Sequence, residues 1–149
     1  MSDFSNFTHC DNNSFVVHQK QKIMQIPKGH QAVMPYLILN NAAGFIDFVK
    51  NVFNAELSFS RMREDNLTVM HSEVQISGST IMFCDATEQF KNASANMFIY
   101  VDDADKTFKK AIEAGSKVIM ELADQPYGRS GGVVDPFGNE WWITSVNKD

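Results

Sequence analysis

What this 149-residue sequence lacks narrows its function first. It has only two cysteines, Cys10 and Cys84, far apart and in no CxxC, which predicts no disulfide framework and points to a reducing compartment. No apolar run approaches the ~20 residues of a membrane span. The opening Met1-Ser-Asp-Phe-Ser has neither a basic start nor an apolar stretch, so a cytoplasmic location is expected, with no membrane partner. Concentrated positive charge is also missing. The formal net charge is −5, and the densest basic run, Lys106, Lys109 and Lys110, is offset by Asp102, Asp103, Asp105 and Glu113. Phosphate neutralisation needs a basic face, so no nucleic-acid partner is expected. The sequence holds no P-loop, no GxGxxG and no HExxH, which removes nucleotide-binding and zinc-protease readings.

What is present is a chain 44% hydrophobic and 11% aromatic, enough for one ordinary domain or two half-size modules sharing a core. Residues 1–29 read as a polar extension, punctuated by Pro27-Lys28-Gly29. A single domain of two modules follows, at about 30–86 and 95–147. In the first, Val33–Leu39 reads as a buried strand. Phe45, Ile46, Phe48, Val49, Val52 and Phe53 recur at helical spacing after Asn40 or Asn41 as N-cap. Leu57–Met62, Leu67–Ile76 and Thr80–Cys84 read as strands, the last two joined at Ser77-Gly78-Ser79. The second module repeats this order. Met97–Val101 is a strand, and a helix capped by Asp102-Asp103 carries Phe108, Ala111 and Ile112 and stops at Gly115. Lys117–Met120, Gly131–Val134 and Glu140–Thr144 are strands.

Ala42 and Ala104 lie 62 residues apart and Gly78 and Gly138 lie 60 apart, two offsets close enough to mark an internal repeat. The fold class is therefore α+β: two βαβββ modules, each a one-faced sheet with a helix on its back. Two such halves packed edge to edge leave a cupped cavity between them.

Several residues are candidates for chemistry. His71 and Glu73 share one face of a strand, so His71 is a candidate base and Glu73 the group that orients it. Arg129, in the loop before the penultimate strand, offers a planar donor fork for an anion or carbonyl. Cys84, among apolar neighbours, reads as a small buried side chain. Asp135-Pro136-Phe137-Gly138-Asn139 reads as a structural turn, with Pro fixing φ and the acid accepting turn hydrogen bonds.

The runs Ile26-Pro27-Lys28-Gly29-His30, Met34-Pro35-Tyr36-Leu37-Ile38, Met70-His71-Ser72-Glu73 to Gly78 and Met82-Phe83-Cys84-Asp85 point further. With Tyr100-Val101-Asp102-Asp103-Ala104, Tyr127-Gly128-Arg129 and Val134-Asp135-Pro136-Phe137-Gly138-Asn139-Glu140-Trp141, the chain resembles the vicinal oxygen chelate superfamily over about residues 26–147. That is the glyoxalase, bleomycin-resistance and extradiol-dioxygenase group, and the likeness is to its PhnB-like branch. The resemblance implies paired βαβββ modules and a homodimer. In metal-dependent members each module supplies a ligand from its first and its last strand. The repeat carries those positions onto Met34, Asn96, Met82 and Trp142, none of them a usual ligand for a hard or borderline divalent ion. Only Glu140 beside them presents a carboxylate. No metal and no cofactor are therefore expected. The expected function is metal-free binding of a small apolar or aromatic molecule by Met34, Tyr36, Met82, Asn96, Tyr127, Arg129 and Trp142. The alternative is a lyase, isomerase or dioxygenase that uses a metal or His71 and Glu73 as acid and base.

Overall fold

The computed structural model describes residues 24–147; the predicted polar extension falls largely on residues 1–23 and lies outside them. The first module runs β1 (Tyr36–Leu39), α1 (Ala42–Phe53), β2 (Glu56–Met62), β3 (Val69–Ile76) and β4 (Ser79–Asp85). The second runs β5 (Asn96–Tyr100), α2 (Ala104–Glu113), β6 (Lys117–Gln125), β7 (Gly128–Val134) and β8 (Glu140–Ser145). Each forms a four-stranded sheet, in the orders β1-β4-β3-β2 and β5-β8-β7-β6. The first and last strands of each module are parallel neighbours and the remaining pairs are antiparallel. The fold is thus the α+β pair of modules that the repeat implied. The repeat also holds at the level of register: Tyr36 pairs with Met82, and the two offsets carry that pair onto Phe98 and Trp142, which pair likewise.

Local chemistry explains the elements. Asn41 caps α1 by accepting from Gly44 N at 3.0 Å, and Asp103 caps α2 by accepting from Lys106 N at 2.9 Å. Ser77 and Gly78 have φ of 47° and 83°, the pair of positive values that a two-residue hairpin loop requires. Asp85, at the end of β4, accepts from Ala42 N at 2.7 Å and from Val69 N at 2.6 Å, fixing the starts of α1 and β3 with one buried carboxylate.

Several strand boundaries differ from the sequence reading: β3 begins at Val69 rather than Leu67, and β6 runs on to Gln125 rather than Met120. The first strand begins at Tyr36 rather than Val33, which is 88% exposed. Pro35 has no N–H to continue the ladder. The chain before it is tied instead to the β3–β4 hairpin, where Gln31 accepts from Thr80 N and donates to Gly78 O. The penultimate strand begins at Gly128 rather than Gly131, so Arg129 lies in β7 and not in a loop.

Alternation sorts each strand onto two faces. One face of each sheet joins a shared apolar core with the helices: Leu37, Leu39, Phe83 and Val74 from the first module, Val133, Trp141 and Ile143 from the second. Helix α1 links the modules. Phe45 and Phe48 pack edge-on against Phe137, with centroids 5.7 and 6.0 Å apart, and Phe53 tilts over Trp141 at 4.5 Å. The modules therefore join through their helix-bearing side. Among the described residues their other two faces are open and do not close the cupped cavity expected between the halves. Tyr36 remains 50% exposed on one open face, and Phe98 50% and Tyr127 53% on the other.

Candidate functional site

The open face of the first sheet collects Tyr36 from β1, Met82 and Cys84 from β4, His71 and Glu73 from β3, and Phe59 from β2, all in cross-strand register. His71 is the centre of this group. Its ring stacks on Tyr36 with centroids 5.7 Å apart and planes 25° from parallel, and Phe59 closes the other side at 5.9 Å. His71 Nε2 is 3.0 Å from Glu73 Oε1, and the Tyr36 hydroxyl is 3.2 Å from His71 Nδ1. A carboxylate only accepts, so His71 presents Nε2–H to Glu73; in the neutral ring Nδ1 then accepts from Tyr36.

A second imidazole joins from the segment before β1. His30 Nε2 lies 3.1 Å from Glu73 Oε2, and His30 Nδ1 is buried with no partner among the described residues. Burial by itself raises the Glu73 pKa, but hydrogen bonds from His71 and His30 and their charge outweigh it and hold the carboxyl below its ordinary value. Burial also pushes the Tyr36 hydroxyl up, with Cys84 adding to this and Arg63 opposing it, so Tyr36 keeps its proton at neutral pH. Beside this group is a pocket of about 780 Å³ lined by Tyr36, Ile38, Arg63, Met70, Cys84 and Phe90. Arg63 is held there by donating from Nη2 to Asp85 O at 2.9 Å. His30, Arg63 and Phe59 were not singled out by sequence reasoning. Phe59 alternates in phase along β2 and was legible in principle; His30 and Arg63 sit outside the strands, where no periodicity points to them.

The open face of the second sheet is aromatic. Phe98 lies 5.1 Å from Tyr100 and 6.3 Å from Tyr127 between ring centroids, and Trp142 stands on the strand next to Phe98. Trp142 Nε1 donates to Asn96 Oδ1, and Asn96 Nδ2 donates to Glu140 Oε2 at 2.7 Å. Gly132, opposite Trp142, is needed by this ring, since a Cβ there would come within 2.7 Å of Trp142 Cζ3.

The structure brings Tyr36, Met82, His71 and Glu73 together on one face and Asn96, Tyr127 and Trp142 on the other. Met34 lies just before β1, two residues from Tyr36 and partly buried. Arg129 joins neither group. It alternates in phase with Gly131 and Val133 on the helix side, where a Cβ on Gly131 would touch Phe108 of α2. Its guanidinium is taken by Asp105 of α2, through Nε and Nη2, and by Asp124 of β6 at 3.1 Å. These bonds raise the Arg129 pKa and depress that of Asp105. The anion clamp expected at Arg129 is therefore an ion pair behind the sheet.

The residues also bear on a metal. Thioethers of Met34 and Met82 are soft ligands, the indole of Trp142 offers no lone pair, and both ends of the Asn96 amide are engaged. His30 and His71 spend their Nε2 atoms on separate oxygens of Glu73 rather than converging on one point. Among the described residues no group of three or more His, Cys, Asp or Glu side chains is arranged to hold an ion. The donor set does not fit the divalent site that the fold accommodates elsewhere.

Residues 29–143 match the family model described as glyoxalase/bleomycin resistance protein/dioxygenase superfamily. An uncharacterized protein of Mycobacterium tuberculosis is 30% identical over 148 residues, covering 89% of this chain and 86% of its own length. Among solved structures, the PhnB protein from Bacillus cereus superposes with a TM-score of 0.62 at 20% identity, over 78% of this chain and all of its own. TnmS3, an antibiotic binding protein from Streptomyces sp. CB03234, does so with a TM-score of 0.59 at 16% identity, over 79% of this chain and 100% of its own. At these identities the structures establish a shared fold. No helix among the described residues is long and apolar enough to cross a membrane.

Proposed function

Because the chain belongs to the glyoxalase/bleomycin resistance protein/dioxygenase superfamily, we propose that it binds a small, flat, apolar or aromatic molecule without a metal ion, in a cup assembled from two copies of the chain. The observation that carries this reading is the pair of open sheet faces, each lined by half-exposed aromatic rings: Tyr36 and Phe59 on one, Phe98 and Tyr127 on the other. Rings held on strands are rigid stacking surfaces that lose little entropy on binding, and covering one is worth roughly 1.5–3 kcal/mol. Neither face is covered by the described residues, so a homodimer that sets the first sheet of one copy against the second sheet of the other would satisfy both. A two-fold axis makes two identical cups at once. That TnmS3, on the same fold, is an antibiotic binding protein supports a small-molecule ligand. The donor chemistry described above supports the absence of a metal.

The test pairs two measurements on the purified protein. Sedimentation should give twice the chain mass. The melting temperature should rise progressively with 2-naphthol, because a molecule that binds only the folded state shifts the unfolding equilibrium by mass action. A single-chain mass contradicts the composite cup, and a melting temperature unmoved by 2-naphthol and similar flat aromatics contradicts the binding reading.

A further inference from the structure

The open face of the first sheet has more polar organisation than an apolar ligand needs. Four groups stand in a line: Tyr36 Oη, His71, the Glu73 carboxylate and His30, linked by contacts of 3.2, 3.0 and 3.1 Å. The line ends at Tyr36, which also lines the pocket that contains Arg63, Ile38, Met70, Cys84 and Phe90. We infer that Tyr36 and Arg63 form a subsite for an ionisable hydroxyl, a phenol or enol carried on the flat ring, and that the Tyr36–His71–Glu73 line takes up its proton so that the molecule is held as the anion. This rests on the binding reading above and adds to it the polar end of the ligand.

The hydrogen-bond directions require this polarity. With neutral His71 bound to Glu73 through Nε2–H, the Tyr36 proton points at Nδ1, and the Tyr36 oxygen presents lone pairs to the pocket. It therefore accepts from a ligand O–H. When the proton moves, the ligand O–H bond breaks and a new Tyr36 O–H forms, while the original Tyr36 O–H bond breaks and its proton bonds to His71 Nδ1. The ligand gains one negative charge and His71 one positive charge; no other bond changes. The imidazolium is stabilised by Glu73, which is already ionised, and the ligand anion by the Arg63 guanidinium. The remaining charged or titratable groups around Tyr36 are Cys84 from β4, Arg61 paired with His71 on β2, and Glu88 on the pocket rim. Glu88 opposes an anion, but it is exposed, where water and salt weaken its effect.

The probe is 4-nitrophenol, whose phenolate absorbs in the visible while the phenol does not. Binding is followed separately by equilibrium dialysis. Bound to the wild-type protein, the probe should ionise at a pH lower by about one unit than when free, a ~10-fold gain in the phenolate-to-phenol ratio at fixed pH. Tyr36→Phe keeps the ring and should bind the probe with most of that shift lost, leaving only the part that Arg63 contributes. Glu73→Gln should do the same through His71, and Arg63→Gln should weaken binding of the phenolate more than of the phenol. Circular dichroism shows which variants are folded. A probe that binds with unshifted ionisation overturns this inference and leaves the binding reading standing, as does a Tyr36→Phe protein that shifts the probe like the wild type. No binding in dialysis overturns both.

Discussion

Replacing Asp135 by Ala should lower the free energy of unfolding by about 3–5 kcal/mol, a large fraction of the ~5–15 kcal/mol that holds a typical domain folded. Asp135 is 4% exposed, and its carboxylate accepts four hydrogen bonds, from Phe137 N, Asn139 N, Asn139 Nδ2 and Trp141 Nε1, each at 2.9 Å. Truncation strands four donors, three of them on the fully buried Asn139 and Trp141. The damage spreads, because Asn139 Oδ1 accepts from Ala95 N just before β5, and the turn presents Phe137 to α1. Asp135→Asn retains an acceptor and should lose less. Urea unfolding followed by tryptophan fluorescence measures both; a loss below about 1 kcal/mol for Asp135→Ala would show that the turn is not the clasp described.

Trp142→Ala should leave the fold intact and reduce affinity for 2-naphthol by ~10- to 100-fold, the effect of removing a central aromatic contact. The residue is partly exposed on the open face, and its indole Nε1 donates to Asn96 Oδ1. Arg129→Gln is the matched control: the ion pair it breaks lies behind the sheet, so affinity should stay within about twofold of wild type, a few tenths of a kcal/mol. Dialysis of 2-naphthol against each variant decides. If Arg129→Gln lost affinity and Trp142→Ala did not, the ligand would bind on the helix side and the site would be misplaced.

Much of this architecture was legible in the sequence for physical reasons. Asn41 and Asp103 preceded apolar runs of helical period, Ser77-Gly78 could only be a tight turn, and the acid of Asp135-Pro136-Phe137-Gly138-Asn139 had to bond its own loop. The spacing repeat maps one module onto the other, so that the β1–β4 register found in the structure carries over to β5–β8. What alternation cannot say is which of a strand's two faces meets the other module. Here the contact falls on α1, through Phe53 on Trp141 and Phe45 on Phe137, and the expected cup opens outward. Arg129 was legible in part: counting back in twos from buried Val133 through Gly131 places it on the helix side, but only if the strand is known to start at Gly128. His30 was not legible at all. It reaches Glu73 because Gly29 O is bound by Thr80 Oγ1 and by Gln75 Nε2, contacts between segments far apart in the chain that leave no periodic trace.

The central claim is that rings, not a metal ion, hold the ligand. The most direct measurement is the dissociation constant for 2-naphthol before and after exhaustive treatment with a strong chelator, with the residual metal content of the same sample determined by elemental analysis. The account predicts the same constant within about twofold and no stoichiometric metal in the treated protein, a change of no more than a few tenths of a kcal/mol. Binding that disappears on chelation and returns with manganese or zinc would contradict it.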